Sequence, residues 1–363
     1  MLKNGRFKNE DFIEPKVYER IIKSVNFQEG DRVPIWDYID NRFALEHFAP
    51  GETDLLKASV KTYHGLGIDL CGGFGESFDL QDDGKTSKAG NTETLVSGQT
   101  RWEVKHAIKN IEDLKTFVFQ PPAMDRVRTD WLTWIKNYQK VFAPHTMYVP
   151  GAGCGFHATY GMMGLEVFST MIYDAPGEFW RLLESRNKEG LQYAQIVAEE
   201  RLCPLFFTGD DIAYKGRLMF SPSFLRKAFI PLLKNMCEIL HRHNIKVIFH
   251  SDGNIMEILD DMIKAGIDGL NPIEPIAGMD IAYLKKKYYG KLILVGNVDC
   301  SQILPLGSKE EVIEATKKCI QDASRGGGHF IGSSSEVTPS TPLGNILAFY
   351  RTVHEYGKYP IKI

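Results

Sequence analysis

The segment Phe249-His250-Ser251-Asp252-Gly253-Asn254 places an imidazole and a carboxylate two residues apart, at the end of the apolar run Ile245-Lys246-Val247-Ile248-Phe249. Residues i and i+2 of an extended chain point the same way, so His250 and Asp252 can converge on one ion or one substrate. A histidine taken alone is more often a satisfied structural group than a ligand. The pair gains weight from its company. Val33 to Trp36 stops at Asp37, Leu205 to Thr208 at Asp210 and Asp211, and Leu270 to Ile273 at Glu274. Leu292 to Val295 stops at Asn297 and Asp299, and His329 to Ile331 at Ser333 to Glu336. A packed core gives no reason for polar groups to gather at the same end of so many strands, whereas a barrel with its site at the strand C-termini does.

The elements that must hold these residues alternate along the chain. Strand patterns fall at 33–37, 68–74, 147–152, 204–209, 245–250, 267–273, 292–297 and 328–333. Eight strands separated by helical stretches predict an α/β fold, the (β/α)8 TIM barrel. Residues 1–30 read as an N-terminal helical extension and 31–363 as the barrel. In the extension, Pro15 suits a first helical turn and Val17, Ile21, Ile22 and Val25 form an apolar stripe. One helix is expected from Ser221 to His243, opened by Ser-Pro, and another from Lys309 to about Ala323. Gly326-Gly327-Gly328 precedes a strand instead of linking strand to helix, so it reads as a helix stop and not as a phosphate loop. The stretch 76–121 breaks the alternation and reads as an inserted hairpin. Asp82-Asp83-Gly84-Lys85 would form its turn or a loop over the barrel mouth, and Thr100 to Val104 one of its strands.

The 43 Lys plus Arg against 46 Asp plus Glu leave no global charge footprint for nucleic acid. No apolar run approaches the ~20 residues of a membrane span, and the first residues lack the apolar stretch of a signal peptide. A cytoplasmic address is the default. The six cysteines form no Cys-x-x-Cys pair and read as buried thiols, with Cys71, Cys154 and Cys300 near proposed strand ends. The apolar helices suit a homodimer contact or the barrel wall equally well.

Several pieces carry a resemblance in addition. They are Gly209-Asp210-Asp211-Ile212-Ala213, Ser221-Pro222 with Pro231, His250-Ser251-Asp252-Gly253-Asn254, Ala265 through Glu274, Gly296-Asn297-Val298-Asp299, Gly326-Gly327-Gly328 and Thr341-Pro342-Leu343-Gly344-Asn345. In their types and order the sequence resembles the uroporphyrinogen decarboxylase superfamily, which includes the decarboxylase and the cobamide-dependent methyltransferases. The decarboxylase places two arginines after its first strand to bind substrate carboxylates. This chain has Asp37, Asp40 and only Arg42, one place out of register. The decarboxylase's late histidine falls on Ser334-Ser335-Glu336, while its strand-two aspartate corresponds to Glu76 and its tyrosine to Tyr160.

The methyltransferase branch is the better match. Those enzymes hold zinc with His-x-Cys after strand five and a Cys after strand eight. Here His250 is kept, Asp252 takes the first cysteine position, and the last falls at or beside Ser335, followed by Glu336. The resemblance therefore implies a harder, more acidic zinc site of His250, Asp252 and Glu336. It further implies transfer of a methyl group from a small donor to a corrinoid carried by a partner protein, with metal or acid activation of the leaving oxygen. The catalytic candidates are Glu76, Asp211, His250 and Tyr160. The substrate-binding candidates are Trp36, Asp37, Glu274, Asn297 and Asp299. Trp36, Tyr38, Phe74, Phe78, Phe156 and Tyr160 would suit a methoxylated aromatic donor, and equally well a core and rim. The alternative function is a decarboxylase of the same superfamily.

Overall fold

The computed structural model describes residues 6–72, 86–89, 92–97 and 100–363. Its strands are β1 (Leu70–Cys71), β2 (Thr86–Ala89), β3 (Thr92–Ser97), β4 (Thr100–Lys105), β5 (Met147–Tyr148), β6 (Leu205–Gly209), β7 (Ala213–Tyr214), β8 (Arg217–Leu218), β9 (Lys246–His250), β10 (Gly269–Asn271), β11 (Ile293–Val295) and β12 (His329–Phe330). Strands β6, β9, β10, β11 and β12 lie side by side in parallel, and β1 pairs in parallel with β5. Parallel bridges join the two sets: Gly151 with Phe207, Trp36 with Leu70, and Ile35 with Ile331. With the bridging segment around Ile35 and Trp36 as the first stave, these pairings make a ring of eight parallel staves. All eight expected strand positions are occupied. β6 is buried at every residue, as a strand covered by the barrel interior and by helices must be.

Helices connect the staves. Pro15–Val25 forms as expected, with Val17, Ile21 and Val25 buried. It packs under the N-terminal ends of the strands: Ser24 Oγ donates to the His329 carbonyl at 2.9 Å, and Gly328 N to the Ser24 carbonyl at 2.9 Å. Gly327 has φ +70°, and a Cβ there would stand 2.4 Å from the Gln28 carbonyl oxygen, so the glycine run lets the last strand start directly beneath this segment. Lys309–Ala323 opens with a capping box, Ser308 and Glu311 each accepting from the other's backbone N–H. The helix expected over Ser221–His243 is two helices, Pro222–Ala228 and Ile230–His241. Pro231 has no N–H for the preceding turn and its ring crowds that turn's carbonyl, so the first helix ends and a second begins with the proline in its first turn. The insertion is larger than a hairpin: β2, β3 and β4 make a three-stranded antiparallel sheet. Glu76, Phe74, Phe78 and the Asp82–Lys85 segment lie outside the described residues.

Candidate active site at the C-terminal ends of the strands

His250 is the last residue of β9. Its Nδ1 lies 2.7 Å from Asn271 Oδ1 at the end of β10. An amide oxygen carries no proton, so Nδ1–H donates, and this bond fixes the ring and aims Nε2 into the barrel mouth. Asp252 Oδ1 stands 3.7 Å and Asp211 Oδ1 3.9 Å from that Nε2. One ligand atom from each of Asp211, His250 and Asp252 falls within 4.8 Å of the others. Burial alone would disfavour the imidazolium, but Asp252 and Asp211 raise the His250 pKa; burial raises that of Asp252. Asp252 Oδ1 is buried with no hydrogen-bond partner. Two acids and an imidazole converging around a buried oxygen that accepts no hydrogen bond could hold a cation through one nitrogen and two oxygens.

The surrounding chain holds the three ligands in place. Asp252 N donates to Asp211 Oδ1 at 3.1 Å, tying the β9 loop to the β6 loop. Gly253 N donates to Glu274 Oε2 at 2.6 Å. Gly253 has φ +82°, and a Cβ there would meet Ala213 and Tyr214 backbone atoms at 2.7 Å, so only glycine lets β9 turn against β7. Glu274 follows Ile273, whose φ of +62° is costly for a β-branched residue and sets where the carboxylate emerges.

His157, which sequence reasoning did not single out, completes this wall together with Asp210. His157 Nδ1 lies 3.5 Å from Asp211 Oδ2 and its ring stacks on Tyr160 at 4.6 Å, while Tyr160 Oη donates to the Asp211 carbonyl at 3.0 Å. Asp210 is buried and accepts from Cys154 N, Cys154 Sγ and His157 N at 2.9, 2.8 and 2.5 Å, which fastens the β5 loop to β6. The available signal was the Cys154-Gly155-Phe156-His157 run just past a strand. Of the proposed ligands, the structure gathers His250 and Asp252 with Asp211; Glu336 is a neighbour of this tight cluster. Burial, with Asp40 and Asp252 close by, pushes the Glu336 carboxyl up to about 7.

Other candidates turn inward. Trp36 is 1 % exposed and packs on Phe207 and Phe330. Asp37 is also 1 % exposed and accepts from Ser333 N, Ser333 Oγ, Tyr350 Oη and Tyr38 N. Asn297 Nδ2 donates to the Ile273 carbonyl, and Asp299 accepts the backbone N–H groups of Ser301, Gln302 and Ile303. Phe156 sits in a core cluster of rings with Phe168, Phe220 and Phe229. All six cysteines are buried and none forms a disulfide.

The model of the family described as Uroporphyrinogen decarboxylase (URO-D) matches residues 100–356. The chain belongs to the uroporphyrinogen decarboxylase family. Uroporphyrinogen decarboxylases of Coxiella burnetii strains Dugway 5J108-111 and RSA 493 are 25% identical over 197 residues, 52% of this chain and 50% of theirs. The chain thus spans about half the length of the curated relatives it matches. A methyltransferase from Methanosarcina mazei shares the fold with a TM-score of 0.70 at 18% identity, over 94% of this chain and 98% of that one. Arg42, past the first stave, has an 82% exposed side chain paired with Glu46 on its own helix.

Proposed function

We propose that this family member is a methyltransferase that moves a methyl group from a small donor to the cobalt of a corrinoid carried by a partner protein. The observation that carries the reading is the Asp211–His250–Asp252 cluster with its unpartnered buried oxygen. No arginine clamp for substrate carboxylates faces it from the first stave, since Arg42 is exposed and paired with Glu46 on its own helix. That the same fold serves a methyltransferase in Methanosarcina mazei makes the reading concrete.

The chemistry is cleavage of a methyl–oxygen bond, with the methyl group leaving as a cation equivalent and the electron pair staying on oxygen. Zinc, when bound, supplies Lewis acidity toward that oxygen, and the partner's reduced cobalt supplies the nucleophile. Asp211, His250 and Asp252 would hold the cation, a hard set that suits an oxygen leaving group better than thiolate activation. Asn271 keeps His250 Nε2 pointed inward. Glu336, protonated near neutrality, holds a proton for the departing oxygen. Glu76 remains a second candidate for this acid role, and Tyr160 with His157 walls the donor. A methoxylated aromatic compound fits such a donor.

Metal analysis on protein purified without chelators, beside methyl transfer to free cob(I)alamin from a panel of methyl ethers, tests this. Near-stoichiometric zinc, lost together with transfer in His250→Ala, Asp252→Ala and Asp211→Ala, is the expected result. A metal-free protein that transfers no methyl group would overturn it. The second reading, a decarboxylase, has in its favour the activity for which the family is named and the Coxiella relatives. It predicts carbon dioxide release from a carboxylated substrate with no corrinoid present.

A further inference from the structure

The cavity that opens on Asp211 and His250 has a volume of about 520 Å3. It extends past Gly151–Gly155 to Trp131 on the helix Met124–Phe142, and to Arg186, Glu189 and Tyr193 on the helix Pro176–Glu200. This far wall carries chemistry that the cation site does not use. Arg186 Nη1 pairs with Glu189 Oε2 at 2.6 Å, and the Phe119 ring lies 4.3 Å from the guanidinium carbon. Arg186 Nε is buried and makes no hydrogen bond. A guanidinium offers two edges that match a carboxylate, one at its end and one along Nε and Nη2. Glu189 engages Nη1, so the Nε edge is left over. A buried N–H donor without an acceptor is costly even where, as here, the guanidinium charge is paired with Glu189.

Among the described lining residues, Arg186 is the one side chain with a fixed positive charge. The acids beside it are already engaged. Asp210 is saturated by Cys154 and His157, Asp211 belongs to the cation cluster, and Glu189 is held by Arg186 itself. The rings of Trp131 and Tyr193, 5.0 Å apart between centroids, give the wall an apolar flank that suits a flat ligand.

We propose that Arg186, flanked by Trp131 and Tyr193, binds the carboxylate of a small flat acid whose opposite end reaches Asp211 and His250. This names the substrate class of the site and rests on the methyltransferase reading for which end reacts. The subsite itself is testable without any turnover. Calorimetric titration with benzoate, and with benzamide as its neutral isostere, on wild type, Arg186→Met, Glu189→Gln and His250→Ala provides the test. Benzoate is expected to bind at least about tenfold more weakly to Arg186→Met, with benzamide unchanged. Glu189→Gln, which removes the competing carboxylate, is expected to tighten benzoate, and this arm stands if Arg186→Met fails to fold. His250→Ala is expected to keep benzoate, whether or not zinc occupies the other end. Equal benzoate affinity in wild type and Arg186→Met would overturn the proposal, as would weaker binding in Glu189→Gln. Loss of benzoate in His250→Ala in place of Arg186→Met would put the carboxylate on the cation and overturn it too.

Discussion

Glu336 shows how one side chain acquires a role from its surroundings. A solvated glutamate is ionised at neutral pH, but burial beside Asp40 and Asp252 lifts this one to about 7. The direction decides the prediction. Below 7 the carboxyl keeps the proton that a departing oxygen needs, and above 7 it has lost it. Methyl transfer is therefore expected to fall as pH rises through about 7. Glu336→Gln, which cannot donate an acidic proton, is expected to be slower by about 10²-fold at pH 6 and to lose that alkaline limb. Single-turnover rates across pH 5.5 to 9 check this, and an unchanged limb in Glu336→Gln would assign the ionisation to another group. His250 and Asp252 were legible as a pair because i, i+2 spacing is a local fact. Asp211 as their third partner was not, since it arrives from a different strand.

At the scale of elements, the polar ends of the first and last staves are joined by a carboxylate. Asp37 accepts Ser333 N at 3.0 Å, Ser333 Oγ at 2.6 Å and Tyr350 Oη at 2.8 Å, so it links the first stave, the loop after β12 and the helix Leu343–Tyr356. Burial raises its pKa to about 6 against these stabilising bonds. A carboxylate whose folded pKa is raised contributes stability that is present below its unfolded pKa and lost as pH rises through the folded one. Tyr350→Phe removes a donor that favours the ionised form. It is expected to cost about 1.5–3 kcal/mol at pH 8, where Asp37 is charged, and clearly less at pH 5. Urea unfolding at the two pH values measures the difference, and an equal loss at both would mean that the hydroxyl acts independently of this charge. The sequence placed Asp37 in the mouth because it follows a strand. Its inward turn is set by Ser333 and Tyr350, some 300 residues away.

For the molecule as a whole, the barrel divides labour between its ends. The Asp211–His250–Asp252 cluster and the Arg186 cavity lie at the C-terminal ends of the strands, whereas the helix Pro15–Val25 closes the opposite end through Ser24 and the glycines before β12. Ile21 is fully buried there. Ile21→Ala is expected to destabilise the fold by about 2–5 kcal/mol through lost burial and the cavity it leaves. The urea midpoint should fall while zinc content of the folded protein stays at the wild-type level. Loss of zinc at full stability would show that the two ends are coupled.

The barrel and its site end were readable in the sequence because both follow from local periodicity. Apolar runs of strand length occur at eight places, six of them stopping at a polar cluster, and each run became a stave. Helix boundaries were legible where the signal was a cap, as at Ser308, and misread where one proline outweighed a continuous apolar stripe, as at Pro231. The tertiary structure alone decided which polar residues face the mouth. Trp36, Asp37, Asn297 and Asp299 stand at strand ends as His250 does, yet Trp36 packs among core rings and the other three bond nearby backbone groups in the interior. Asn271, His157 and Arg186 reach the site or its cavity from separate elements. Spacing along a chain records which side of a strand a residue leaves; which partners it meets depends on how eight strands tilt and close, and that information is nonlocal.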